Sequence, residues 1–66
     1  MSVDSLTKNL IEIFQSESDA FYYIADCLSH IDEPDSLTVN CTGIAWERHA
    51  ALEALIAKYK SLLEEN

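Results

Sequence analysis

Apolar side chains return every three or four positions through the first half of the chain: Val3, Leu6, Leu10, Ile13, Phe14, Ala20, Phe21, Ile24, Cys27, Leu28 and Ile31. That spacing lines one side of an α-helix. Ser2 or Asp4 can cap its start by accepting hydrogen bonds from free backbone N–H groups, and Pro34 disfavours helical geometry at Glu33. The pattern predicts a first helix over about residues 3–31 and a turn over 32–35.

A second stripe runs through Leu37, Cys41, Ile44, Arg48, Leu52, Leu55, Tyr59 and Leu62, widened by Ala45, Ile56 and Leu63. The period holds across Gly43, although Thr38, Val39, Asn40, Thr42 and Gly43 are mediocre or poor helix formers. One helix over about 36–64 is expected, kinked or broken at 40–43 if those residues prevail, with a loop from 32 to 42 as the alternative. Residues 1–66 then form a single all-α domain, an antiparallel two-helix hairpin turned at Asp32–Asp35.

A turn centred near Pro34 sets side by side residues whose numbers add to roughly 66–69. Cys27 and Cys41 are then expected to approach one another near the turn, as small buried hydrophobes. Glu17 and Arg48 each hold a charged position within an apolar stripe, and a partly buried pair of this kind fixes register more than it stabilises. The alternative lays the Arg48 stem on the core with its head in water. Phe21, Tyr22 and Tyr23 fall level with Trp46, more aromatic surface than a two-helix core can hold.

Both helices carry a second packable face. Tyr22 lies with Ile11, Gln15, Ser18, Ala25 and Ser29, and Ala50, Ala54, Ala57 and Ser61 form a row of small side chains. A chain of 66 residues hides only about 60% of the surface its unfolded form exposes, so it needs a disulfide, a metal or self-association. Two free cysteines in a chain with no secretory signal point to a reducing, cytoplasmic setting. The expectation is therefore a homodimer forming a four-helix bundle.

Twelve acids against four bases give a formal charge of -8, which repels nucleic acid phosphates and anionic membrane surfaces. Every apolar window is interrupted before it could span a membrane. Glu12, Asp19, Asp26 and Glu33 recur every seven residues, a row that suits a solvated face or a basic patch on a protein partner. Mimicry of a nucleic acid is the sharper alternative, although these charges are several-fold sparser than the phosphates of a duplex.

Chemistry is poorly supported. Two helices enclose no pocket, His49 and Glu53 at four-residue spacing read as helix-surface decoration, and Ser16 and Ser18 have no His at helical spacing. A metal site from Cys27, Cys41 and His30 with Asp32 or Asp35 is a minor alternative, since structural zinc wants four well-placed S or N ligands. No metal, cofactor or catalytic residue is assigned.

In length, charge and topology the chain resembles the short acidic helical-hairpin proteins of bacteriophages and mobile elements. It also looks like the small helical co-chaperones of bacterial type III secretion. The first resemblance implies a non-enzymatic binder that inhibits a host regulator or defence protein; the second implies a subunit of a hetero-oligomer. The candidate partner-binding residues are Ile11, Tyr22, Tyr23, Trp46 and Ala50, whose aromatic members are the usual anchors of interfaces.

Overall fold

The computed structural model describes residues 3–64, and the candidate cap Ser2 lies outside them. Two helices, α1 (Val3–Ser29) and α2 (Ser36–Glu64), pack antiparallel as an all-α hairpin measuring 49 × 17 × 14 Å. The second helix runs unbroken through 40–43, the one-helix reading of this stretch and not the loop over 32–42. There the Thr42 hydroxyl donates to its own helix at Thr38 O (2.8 Å), and Gly43 sits on the open surface.

The first helix ends two residues before the expected position. His30 N and Ile31 N donate to Cys27 O and Leu28 O, both at 3.2 Å, a tighter i to i−3 pattern that closes the last turn. Asp26 O also accepts from the Ser29 hydroxyl at 2.7 Å and bonds His30 Nδ1 at 2.6 Å. Glu33 then takes a left-handed backbone conformation (φ 52°), which reverses the chain before Pro34. Asp35 caps α2: its carboxylate accepts from Thr38 N at 2.7 Å, and its carbonyl from Val39 N at 3.0 Å.

The largest departure from expectation is the rotation of the helices. The inner seam of α1 runs through Thr7, Ile11, Phe14, Ser18, Phe21, Ala25 and Leu28, and that of α2 through Thr38, Thr42, Ala45, His49, Leu52, Ile56, Tyr59 and Leu63. Each set alternates steps of three and four, the signature of a coiled-coil seam. Contacts across it join residues whose numbers add to about 67–73, among them Ser18 with His49 and Phe14 with Tyr59 (ring centroids 6.0 Å).

Leu6, Leu10, Ile13 and Ile24, expected inside, are exposed, as are Leu37, Cys41 and Ile44. Each precedes a seam position by one residue. The two helices are right-handed and antiparallel, so a step back of one residue turns both sets onto the same broad side of the hairpin. Among the described residues only Ser18, Ala25, Ala45 and Ile56 are buried, which leaves most of the large apolar side chains partly open to solvent.

Candidate functional site

Three places on the hairpin carry potential function: a polar cluster in the seam and the two broad faces that flank it. The cluster comes first, because it joins residues that helical spacing within one helix cannot join. Ser18 Oγ donates to Glu53 Oε1 at 2.6 Å and lies 2.9 Å from His49 Nδ1, which is 3.1 Å from Ser18 O. Gln15 Nε2 donates to Asp19 Oδ1 at 3.0 Å and reaches Glu53 Oε1 at 3.5 Å.

The Ser18 hydroxyl has one proton, and Glu53 takes it. His49 Nδ1 must then donate to Ser18 Oγ and Ser18 O, the reverse of the proton flow that activates a nucleophile. Ser18 is also 0% exposed, so no substrate carbonyl can approach it. The hydrogen bond from Ser18, aided by Gln15, His49 and Lys60, holds the Glu53 carboxyl below its ordinary range against the opposing effect of burial. Among the described side chains, no buried polar atom lacks a hydrogen-bond partner. A satisfied polar layer of this kind specifies which residues meet across a seam.

The face that follows the seam positions by one residue carries Glu12, Asp19, Tyr22 and Asp26 from α1, with Trp46 and Ala50 from α2. Tyr22 meets Trp46 edge to face at 5.4 Å between ring centroids, and His49 joins both at 5.3 and 6.2 Å. These contacts hold the rings in place while Tyr22 and Trp46 remain 50% and 39% exposed. Ala50 lies exposed one turn beyond Trp46. The structure separates two other candidates from this group. Ile11 is half-buried in the seam, and Tyr23 points outward from α1. Glu33 leaves the acidic row, because it lies in the connection with a left-handed backbone.

The opposite face is apolar. From α1 it presents Leu6, Leu10, Ile13, Ala20, Ile24 and Cys27; from α2, Leu37, Cys41, Ile44, Ala51, Leu55 and Leu62. Glu17, Arg48 and Lys58 interrupt it. Glu17 and Arg48, expected as a partly buried pair, are both exposed and form no ion pair among the described residues. The observed register sets them about five residues out of level, or about 7.5 Å along the axis at 1.5 Å rise per residue. Cys27 and Cys41 are free and exposed on this face, not buried in the hairpin.

Among the described residues no three His, Cys, Asp or Glu side chains are grouped to hold a metal ion, and no helix is long and apolar enough to cross a membrane. No protein-family model matches the chain, and comparisons with curated proteins and with solved structures give no match.

Proposed function

We propose that this chain is a non-enzymatic protein-binding module, a regulator or inhibitor that engages its partner through a helical face. The observation that carries this reading is the Tyr22–Trp46–His49 cluster: rings held against one another, half open to solvent and rimmed by Asp19 and Asp26. Aromatic side chains held in place lose little freedom on binding, and acids at the rim favour a partner whose contact surface is basic. The apolar face supports the second reading, a subunit of a hetero-oligomer, since a surface of that kind is normally covered by protein.

Trp46→Ala and Tyr22→Ala, made separately, test the proposal. Helicity is checked by circular dichroism, and capture of partner from a lysate of the native host is compared with the unmodified chain. Folded variants that lose the captured protein support binding at the cluster. Folded variants that capture it undiminished exclude the cluster and leave the acidic row of Glu12, Asp19 and Asp26 or the apolar face as the contact. A chain that folds only when a neighbour-encoded protein is supplied supports the hetero-oligomer.

A further inference from the structure

We infer that the apolar face is a self-docking surface: a second copy of this chain covers it, related by a two-fold axis parallel to the helices, with both turns at the same end. This deepens the reading of the chain as a protein-binding module by assigning one face to self-association, and it leaves the aromatic face free for the partner.

The dimensions fit. A side of 49 by 17 Å approximates the 800 Å² or so that each partner contributes to a stable interface. Apolar content fits as well. With the axis along the helices, α1 of each copy lies over α2 of the other and levels are preserved. Cys27 then meets the other copy's Cys41, Ile24 its Ile44, Ala20 its Ala51 and Ile13 its Leu55, pairs that the observed register places within about two residues of level. The alanine pair lies at the middle of the face, where close approach of backbones needs small side chains.

The three charges on this face choose between the two ways of stacking it on itself. An axis across the helices lays α1 on α1 and α2 on α2, setting Glu17 against the second Glu17 and Arg48 near the second Lys58. Like charges so opposed cost several-fold or more in affinity. With the axis along the helices, Glu17 of each copy falls between Arg48 and Lys58 of the other, about one and a half turns from each. In helices, side chains lean toward the N-terminus, so Glu17 and Lys58, on antiparallel helices, lean toward each other. All three residues are exposed; the Lys58 ammonium lies 5.9 Å from the centroid of the half-buried Tyr59 ring, a contact that a turn of its side chain toward Glu17 would exchange for the ion pair.

Sedimentation equilibrium of the full chain at neutral pH tests the inference. Twice the chain mass is expected. Glu17→Lys alone, and Arg48→Glu with Lys58→Glu together, should each weaken the dimer on the order of tenfold or more. Mixed one to one, the two variants should recover it, because reversed charges on one chain then complement those on the other. A wild-type monomer overturns self-docking, and does so without bearing on partner capture by Tyr22 and Trp46. A wild-type dimer whose affinity no charge variant alters overturns the assignment to this face.

Orientation is read without touching the charges. Cys27→Ser mixed with Cys41→Ser should yield a cross-linked dimer with a short bismaleimide, whereas neither variant alone should. Cross-linking of either variant alone, or none in the mixture, overturns the parallel axis.

Discussion

Ser18 and His49 meet across the middle of the hairpin, Oγ to Nδ1 at 2.9 Å, with Ser18 wholly buried. The seam there is polar, and its members depend on one another. Ser18→Ala would leave Glu53 without the hydrogen bond it accepts at 2.6 Å and would remove one of the two acceptors of His49. Both groups keep a second partner, Gln15 Nε2 at 3.5 Å for Glu53 and Ser18 O at 3.1 Å for His49, so stability should fall by the worth of the lost hydrogen bonds alone. Urea unfolding of Ser18→Ala, His49→Ala and the double variant should give a coupling above about 0.5 kcal/mol. Strict additivity would mean that the contact contributes nothing.

Gly43 lies within α2, exposed, with nothing within 4 Å of an added methyl group. Gly43→Ala removes conformational freedom from the unfolded chain and meets no obstacle in the folded one. Stability should rise by about 0.5–1 kcal/mol. A loss of stability in thermal or urea unfolding would show that α2 departs from helical geometry at this point.

The start of α2 at Ser36 was readable because Pro34 breaks the helical pattern before it, whereas α1 stops at Ser29, short of the expected 31; the level of Tyr22 with Trp46 followed from the register. Rotation was not readable from hydrophobicity. The chain carries two heptad-spaced stripes offset by one residue, and the greasier one, with Leu6, Leu10, Ile13 and Ile24, is the outer. The inner one includes Thr7, Ser18 and His49, types usually assigned to the surface. Thr7 and Thr42 occupy it by returning their hydroxyls to their own helices at Val3 O and Thr38 O. The signal was present in the spacing alone: Phe14, Phe21, Ala25 and Leu28 keep step with Ser18, and Ala45, Leu52, Ile56 and Tyr59 keep step with His49.

Acid should weaken the fold through two identified carboxylates. Hydrogen bonds from Thr38 hold Asp35 below its ordinary range, chiefly from its side chain and then its backbone N–H, while Ser18 does the same for Glu53. A carboxyl whose folded pKa is depressed adds stability above its unfolded pKa, near 4, and loses it as pH falls through the lower folded value. Urea midpoints of the wild type should therefore fall below about pH 4. Asp35→Asn keeps a capping side chain without the titration, so combined with Glu53→Gln it should flatten that decline. An unchanged slope would show that other groups govern it.

Ala25 and Ala45 are buried at the level of the aromatic cluster, one on each helix, 0% and 3% exposed. Their numbers place them opposite one another in the observed register, so the helices approach closely there, and the approach sets the 5.4 Å contact between Tyr22 and Trp46. Ala45→Leu adds three carbons where the seam has no room. Overpacking of this kind costs typically about 1–3 kcal/mol, and here it should also spread the helices beside Trp46. Two signals should change together: the urea midpoint should fall, and the near-ultraviolet circular dichroism of Trp46 should diminish as its neighbouring rings separate. Ala50→Leu, on the exposed face one turn beyond Trp46, is the control and should leave the midpoint nearly unchanged. If Ala45→Leu is accommodated without loss of stability or of the aromatic signal, the seam at this level is wider than its buried alanines indicate, and the aromatic cluster is not held by helix spacing.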